Sequence, residues 1–429
     1  MSCEAPSRRG CPTPRRNAEL TRRIDRALEL AGLPALERSA WVEVDIDVLI
    51  ANAGALLSLA SPAALGAVVK ADGYGHGLEI AGRCAVAGGA EWLCVADSAE
   101  AARLRRDGYE GRIFVLYPVP PAIVAAMARL GVDVTVGSTH EASTIAEHLA
   151  PGDPILSVHL EIDTGMTRGG VFPGDAVAAA SAISDAPTTS LAGVWTHLAA
   201  PEDPLTAGDQ LGRFEAVLAE LAAANIDPGA VHVAASGELL AAHTDAHTLV
   251  RPGLALYGVH PGAGDPLPPP VAPALAVRAH PVRIAEVAAG TAVGYAGTWT
   301  AQRVSIIATL PVGYADGWSR ASSPGTSVLV EGERAPVVGR VSSDSLTVDV
   351  TGIAEVGPDS EFTLLGSAGR NEITADAVAE VRRTISWEVL QQLGARLARV
   401  YTSGPVPVAL RAESTIRITE APGVSVPPY

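Results

Sequence analysis

Short apolar segments alternate with alanine-rich stretches from residue 40 to about residue 260. These segments are continuous rather than interrupted by polar positions, which favours strands buried on both faces of a parallel sheet. They cover residues 65–71, 92–96, 112–117, 132–137, 155–163, 191–197, 230–236 and 249–258. Because the intervening stretches are long enough for crossover helices, the pattern predicts an α/β fold with a (β/α)8 TIM-type barrel. A doubly wound open sheet is the alternative, but the glycine-rich dinucleotide motif expected after its first strand is missing.

The pattern changes after the proline-rich residues 261–273, whose composition is typical of a linker. Short runs of Val, Thr and Ile then recur without long helical stretches between them. The runs cover residues 282–287, 304–310, 326–332, 335–341, 346–350 and 361–366. They predict that a mostly β C-terminal domain follows the barrel. Residues 41–46 also alternate like a strand, and they are a candidate for pairing with that second domain.

These patterns divide the chain into four parts. Residues 1–38 are predicted to be an arginine- and proline-rich N-terminal extension with one surface helix, and residues 39–265 the barrel. Residues 274–411 are predicted to be the β domain. Residues 412–429 have little core-forming content, so we expect a loosely held tail.

Composition narrows the class of protein. The 429 residues are 48% hydrophobic and 18% charged, as expected of a globular enzyme with two domains. The formal net charge of −16 argues against a nucleic-acid partner. No apolar run reaches the roughly 18–20 residues that a membrane helix needs. No apolar segment typical of a secretory signal follows the N-terminal arginine pairs, so a cytoplasmic location is the expectation.

The cysteines give no sign of a structural framework. Cys3, Cys11, Cys84 and Cys94 are the four in the chain, and all lie in its first quarter. No two of them have the spacing of a zinc site. Their pattern therefore argues against both a disulfide framework and a metal centre.

Lys70 is the only lysine among the 31 lysine and arginine residues of the chain. A guanidinium replaces an ammonium well as a solvated surface charge, but only a lysine amine loses its proton and attacks a carbonyl. Lys70 follows an apolar segment and precedes three glycines, at residues 73, 75 and 77. Unless it is a chance survivor on a loop, it is a candidate Schiff-base lysine.

Polar residues recur where the predicted barrel strands end, which is the side of such a barrel that carries active sites. They are Lys70, Glu161, Asp163, His197, Ser236 and Arg251. Taken alone, a serine at such a position most often caps a helix and a histidine most often belongs to the core. The glycine-containing turns at residues 236–238 and 251–254 have the backbone N–H groups to bind a phosphate. A phosphate site beside a reactive lysine indicates pyridoxal 5′-phosphate.

The motif KADGYGHG at residues 70–77 is similar to the cofactor-lysine signature of alanine racemases. Further blocks resemble the same family in order along the chain, at residues 159–170, 193–199, 250–258, 293–301, 310–320, 339–350 and 384–401. The resemblance implies a barrel with a β domain, a pyridoxal 5′-phosphate cofactor and racemisation of a small amino acid. It also implies a homodimer with shared active sites.

The resemblance implies two bases on opposite faces of the substrate. Lys70 matches the lysine that forms the internal aldimine and acts as one base, and Tyr295 matches the second base, which the partner subunit provides. A tyrosine has a pKa near 10 and is a poor base unless nearby cations lower that pKa. Arg168 and His197 match positions near the cofactor and this tyrosine, so we expect them to supply that help.

Other positions match cofactor and substrate contacts of the family. Arg251 matches the arginine that faces the pyridine nitrogen, where its charge discourages protonation of the ring. The expected phosphate contacts are Tyr74, Ser236, Gly253 and Leu254, as two hydroxyls and two backbone N–H groups. Tyr314 and Ser343 fall where the family lines the substrate entrance and the carboxylate site from the second subunit.

Four positions depart from the family pattern. Glu161 replaces a lysine that is often carbamylated, and we expect its negative charge to hold Arg168 instead. Ala235 and Trp387 replace an asparagine and a phosphate-binding tyrosine, and Ser343 replaces a methionine at the carboxylate subsite. Because a buried unpaired hydroxyl costs roughly 1–3 kcal/mol, Ser343 favours a substrate with a polar atom, such as serine.

Two alternatives have weaker support. A decarboxylase or aldolase of the same fold is expected to place a carboxylate at the pyridine nitrogen and a cysteine in the second domain. This chain has Arg251 at the first place and no cysteine after Cys94. A catalytically weak protein that only binds pyridoxal phosphate is the other alternative, although barrels of that kind have no second domain.

Overall fold

Strand β1 (Ala40–Asp45) leads into eight parallel strands that follow one another around a barrel. The computed structural model describes residues 23–241, 247–262, 266–413, 415–419 and 425–429. The barrel strands are β2 (Ala64–Val68), β3 (Trp92–Val95), β4 (Arg112–Pro118), β5 (Val132–Val136), β6 (Leu156–Glu161), β7 (Thr189–Trp195), β8 (Ala230–His232) and β9 (Leu249–Val250). Each of the eight apolar segments overlaps one of them, which confirms the predicted barrel.

Backbone hydrogen bonds close the barrel between its last two strands. The N–H of Thr248 donates to the carbonyl of Val231 at 2.9 Å, and the N–H of Arg251 donates to the carbonyl of Ala234 at 2.7 Å. Strand β9 also pairs in parallel with β2. The ends of β2, β8 and β9 are therefore neighbours, although they are far apart in the sequence.

Helices connect the barrel strands, as parallel neighbours require. Helix α1 precedes β1, and α11 and α12 belong to the second half of the chain. Within the described residues, every helix is too short or too polar to cross a membrane. The helices are α1 (Arg23–Leu30), α2 (Ile46–Ala60), α3 (Lys70–Tyr74), α4 (Leu78–Ala87), α5 (Ser98–Arg106), α6 (Val124–Arg129), α7 (Thr139–Glu147), α8 (Ala176–Asp185), α9 (Pro204–Ala223), α10 (Ser236–Leu240), α11 (Ala375–Arg382) and α12 (Ser386–Gln391).

A second sheet contains twelve strands, one of which is β1. The others in this half of the chain are β10 (Leu275–Ala279), β11 (Arg283–Val287), β14 (Ser305–Leu310), β15 (Ser327–Val330), β16 (Glu333–Val338), β17 (Leu346–Asp349), β18 (Phe362–Ala368), β19 (Asn371–Ile373), β20 (Ala398–Ser403), β21 (Val406–Ala412) and β22 (Thr415–Ile418), while β12 (Ala292–Val293) and β13 (Trp299–Thr300) form a separate pair. All six predicted Val/Thr/Ile runs contain a strand, which confirms the mostly β region. Strand β1 lies antiparallel to β10 and parallel to β20, as its alternation suggested.

Both ends of the described chain pack against the rest. Of the predicted extension, residues 1–22 lie outside the described residues, and Ile24 and Leu28 of α1 are buried against Trp41. The expectation of a loosely held tail is wrong for its last residues, because Val426 is buried in the main core. There the hydroxyl of Tyr429 donates to the carbonyl of Glu79 at 3.2 Å.

An unusual turn follows strand β2 and begins at Lys70. Ala71, Asp72, Gly73 and Tyr74 all have positive φ, between 51° and 62°. The left-handed conformation costs an L-residue roughly 1–2 kcal/mol, so the three residues other than glycine need compensating contacts. The turn allows Lys70 and Tyr74 to reach the same side of the barrel.

The carboxylate of Asp72 supplies much of that compensation. It accepts from Arg411 of β21 at 2.7 and 2.5 Å, from Arg103 of α5 at 3.2 Å and from the N–H of Leu78 at 3.2 Å. Burial alone would raise the pKa of Asp72, but the hydrogen bonds and charge of Arg411 and Arg103 hold that pKa below 3.8. The second sheet therefore holds the Lys70 turn of the barrel in place.

We predict that Arg411→Leu destabilises the whole chain. The Arg411 side chain is 5% exposed, and its removal leaves Asp72 with Arg103 as its remaining cation. Since loss of one partner leaves a partly buried charge uncompensated, the free energy of unfolding should fall by about 2–4 kcal/mol. Urea denaturation followed by circular dichroism measures the change. The matched control is Arg129→Leu, because the Arg129 side chain is 62% exposed in its ion pair with Asp153, and this change should hardly move the midpoint.

The same pair predicts a pH dependence. Because the folded-state pKa of Asp72 is below its unfolded value near 3.8, the stabilisation is complete above that pH and is lost as pH falls through the folded pKa. Wild-type stability should therefore drop more steeply below pH 3.8 than that of Arg411→Leu. Equal slopes for the two proteins would contradict this assignment.

Candidate active site

A cavity of about 980 Å³ opens at the carboxyl ends of the barrel strands. Ten residues singled out from the sequence line it together: Lys70, Tyr74, Arg168, His197, Ala235, Ser236, Arg251, Gly253, Leu254 and Trp387. They come from the ends of five barrel strands and from α12 of the second half. The fold therefore brings together side chains that are separated by more than three hundred residues in the sequence.

Lys70 carries the only primary amine among the described side chains of this cavity. Its Nζ lies 5.7 Å from the centre of the Tyr117 ring, and the guanidinium carbon of Arg168 lies 5.7 Å from the same ring. Burial, assisted by the charge of Arg168, lowers the pKa of Lys70 below 10.5. A larger share of this amine is therefore neutral and nucleophilic near pH 7 than in an exposed lysine. Sequence reasoning missed Tyr117, although it ends the third apolar segment.

Arg251 is buried with only 3% of its surface exposed. Its guanidinium donates to the carbonyls of Thr196 and Val233 at 2.9 and 3.0 Å and to Nδ1 of His232 at 2.7 Å. Burial lowers the pKa of Arg251 to about 10, so the group remains charged near pH 7. The position thus presents a fixed cation at the cavity.

The expected phosphate-binding residues lie together beside Ser236. The N–H of Gly253 donates to Oγ of Ser236 at 3.0 Å, as does the N–H of Ala255 at 3.2 Å. The predicted contact of the Gly253 N–H with a phosphate stays a prediction. Because Oγ already accepts twice, the Ser236 hydroxyl proton is left to donate elsewhere. Leu254 lines the cavity beside it.

Tyr74 stands close to this turn. A side chain at Gly253 would place its Cβ 2.5 Å from the Tyr74 hydroxyl, so only glycine permits this approach. The Tyr74 ring stacks on Tyr257 at 5.0 Å, and the Tyr257 hydroxyl donates to the carbonyl of Val68. Burial raises the pKa of Tyr74, which keeps its hydroxyl protonated and able to donate.

His197 does not supply the positive charge expected of it. Burial, followed by the charges of Arg251 and Arg168, lowers the pKa of His197 to about 3. The imidazole is therefore neutral near pH 7. Of the two groups expected to help a tyrosine base, only Arg168 is a cation.

Glu161 does not hold Arg168 as predicted. The described residues contain no hydrogen bond or ion pair between these two side chains, and the Glu161 carboxylate packs on the backbone at Gly169. Burial, partly offset by Arg168 and Arg251, raises the pKa of Glu161 to about 7. Near neutral pH a substantial share of this carboxyl is protonated, because buried carboxylates lose hydration that no partner replaces here.

Two further departures lie at the cavity. The N–H of Ala235 is satisfied by Oε2 of Glu238 at 2.9 Å, so the missing asparagine side chain leaves no backbone donor unpaired. Trp387 of α12 is half-buried and lines the cavity with an apolar ring. Its indole adds bulk where the sequence comparison implied a hydroxyl.

Tyr295, Tyr314 and Ser343 lie outside the set of residues that line the cavity. Tyr295 is 69% exposed and Tyr314 is 48% exposed. The loop of Tyr314 contacts that of Ser343, since the N–H of Ala315 donates to the Ser343 carbonyl at 2.9 Å. Two exposed tyrosines thus stand on the second half of the chain, where another molecule can meet them.

Two family models match most of the chain. Residues 44–261 match the alanine racemase N-terminal domain, and residues 274–401 match the alanine racemase C-terminal domain. Alanine racemase of Symbiobacterium thermophilum is 37% identical over 367 residues, which cover 85% of this chain and 97% of that protein.

Solved structures give the same result. The crystal structure of alanine racemase from Bacillus anthracis with bound L-Ala-P has a TM-score of 0.84 and 31% identity, and the match covers 88% of this chain and 99% of that one. A histidine racemase from Leuconostoc mesenteroides has a TM-score of 0.79 and 27% identity over 86% of this chain and 99% of that one. With both domains matched in order and relatives aligned over nearly their full length, the chain belongs to the alanine racemase family and is an amino-acid racemase.

Proposed function

We propose that the cavity binds pyridoxal 5′-phosphate and that the enzyme interconverts L- and D-alanine. The observation that carries this proposal is the half-buried amine of Lys70, with its lowered pKa, among hydroxyl donors and two guanidinium groups. The alanine racemase family depends on pyridoxal phosphate, and the curated relatives of this chain are named alanine racemases.

The residues present suit a phosphate-bearing aldehyde. The Ser236 hydroxyl has its lone pairs occupied by two N–H groups, so its proton points to another acceptor. The Tyr74 hydroxyl is held protonated close to Gly253, and Leu254 adds its backbone at the same place. Together these groups would hold the phosphate. Lys70 and Arg251 would face the aldehyde and the ring nitrogen.

When bound, the cofactor supplies an aldehyde that condenses with amino groups and a ring that withdraws electrons from the substrate α-carbon. A guanidinium donates hydrogen bonds and accepts none, so Arg251 would favour the unprotonated form of the ring nitrogen. Its backbone and histidine contacts keep that geometry. We propose that this restrains side reactions that need a stronger electron sink.

Racemisation needs a base on each face of the α-carbon. We propose that Lys70 takes or returns the proton on one face and that Tyr295, from a second copy of the chain, serves the other. Support comes from the exposure of Tyr295 and Tyr314, which are available to a neighbouring molecule. Arg168 would stabilise the phenolate as the remaining cation, since His197 is neutral.

We predict that the purified protein exchanges the α-proton of alanine for deuterium in D₂O and yields both antipodes. L-Alanine should be the fastest substrate in a panel scored by chiral chromatography, and L-serine should be turned over measurably because of Ser343.

Tyr295→Phe should reduce exchange from one antipode by about 10²–10⁴-fold, as expected for loss of a catalytic base. Tyr109→Phe, far from the cavity, is the matched control.

Lys70→Ala and Lys70→Arg distinguish the chemical role of the Lys70 amine from the role of its positive charge. Both should lose the visible absorbance that pyridoxal phosphate gives the wild-type protein, because guanidinium does not attack a carbonyl. A protein that keeps this absorbance without any exchange of α-protons would be a cofactor-binding protein rather than a racemase.

A second prediction tests whether the site is shared. Lys70→Ala and Tyr295→Phe proteins should each be nearly inactive. After the two are refolded together, random pairing should restore about a quarter of wild-type activity, since half the dimers carry one intact site of two. Failure to recover activity, despite mixed dimers on native mass spectrometry, would mean that Lys70 and Tyr295 act within one chain.

A further inference from the structure

A line of buried polar groups crosses the barrel interior behind Arg251. The guanidinium of Arg251 contacts Nδ1 of His232 at 2.7 Å, and Nε2 of His232 lies 2.9 Å from Nδ1 of His159. Nε2 of His159 lies 3.3 Å from a carboxylate oxygen of Asp133. Both histidines have no exposed surface, and Asp133 is 9% exposed.

The direction of every hydrogen bond in this line follows from its two ends. A guanidinium only donates, so Nδ1 of His232 must accept and its proton must sit on Nε2. That proton is donated to Nδ1 of His159, whose own proton must then sit on Nε2. The carboxylate of Asp133 accepts it. Any other neutral tautomer would set two donors or two acceptors against each other.

Aromatic rings surround the two histidines and shield them from water. The Trp195 ring stacks on His232. The centre of the Phe114 ring lies 4.4 Å from that of His159 and 5.4 Å from that of His232. Burial lowers the pKa of His159 and of His232, which agrees with two neutral rings. Gly193 of β7 leaves the gap through which the histidines meet, since a Cβ there would lie 2.3 Å from Nδ1 of His159.

We propose that Asp133 and His159 are positioning residues that orient Arg251 by fixing the tautomer of His232. This inference rests on the proposed function, in which Arg251 holds the ring nitrogen of the cofactor. Without an acceptor at residue 133, the His159 ring is free to turn or change tautomer. A proton on Nδ1 of His232 would then push the guanidinium away from its place at the cavity.

Two substitutions of Asp133 distinguish its role as a hydrogen-bond acceptor from the role of its negative charge. Asp133→Asn keeps an acceptor oxygen, so turnover with alanine should stay within about threefold of wild type. Asp133→Leu removes the acceptor at similar size, and kcat should fall about ten- to a hundredfold with little change in KM, as for a displaced catalytic group. Thr135→Val is the matched control, because Thr135 is a buried polar residue of the same strand whose hydroxyl donates to the Val115 carbonyl.

A double-mutant cycle shows whether the effect passes through Arg251. In an Arg251→Gln background, Asp133→Leu should change turnover by less than about twofold, since coupled residues are not additive. Independent losses at the two positions would mean that Asp133 supports the barrel rather than Arg251, and would overturn the proposal.

Imidazole ¹⁵N NMR gives a readout that does not depend on activity. With labelled histidine, both His159 and His232 should be neutral with the proton on Nε2, in wild type and in Asp133→Asn. Assignment uses His159→Gln and the shifts it removes. A proton on Nδ1 of either ring, or a doubly protonated ring, would refute the relay. Absence of racemisation by a protein with the expected tautomers would instead count against the proposed function.

Discussion

The left-handed turn after Lys70 is the constraint on which the site depends. Within five residues the chain must bring an amine and the Tyr74 hydroxyl to one cavity, and it does so in a conformation that L-residues avoid. Asp72 holds the turn through Arg411, which belongs to the other sheet. The turn that carries Lys70 therefore depends on a contact from outside the barrel.

This dependence explains why the two sheets form one working unit. Strand β1 precedes the barrel in sequence but lies inside the second sheet, between β10 and β20. Helix α12 brings Trp387 to the cavity from the same half of the chain. The second sheet thus carries an anchor for the lysine turn and part of the cavity wall, in addition to the exposed tyrosines.

Burial decides the charge of each ionisable group around the cavity. It favours the neutral forms of Lys70 and His197 and raises the pKa of Glu161 to about 7. The guanidinium groups keep their charge because their intrinsic pKa is so high. Arg168 and Arg251 therefore supply fixed positive charge at the cavity, while the Lys70 amine is more often neutral than an exposed lysine and the His197 imidazole is neutral.

The pattern of apolar residues along the sequence was enough to predict the barrel strands and the mostly β second half. Residue type alone was enough to single out Lys70 as a reactive amine. Both are local properties that can be read along the chain. Resemblance to a family added the residues that line the cavity. Only the tertiary structure decided what those residues contact. The N–H of Gly253 donates to Ser236, the Glu161 carboxylate packs on the backbone at Gly169, and the end of the chain packs into the core. The Asp133–His159–His232 line was equally hidden, because its members sit singly in three apolar strands. Hydrogen bonds and pKa values depend on distances and burial across the fold, and no pattern along the chain records them.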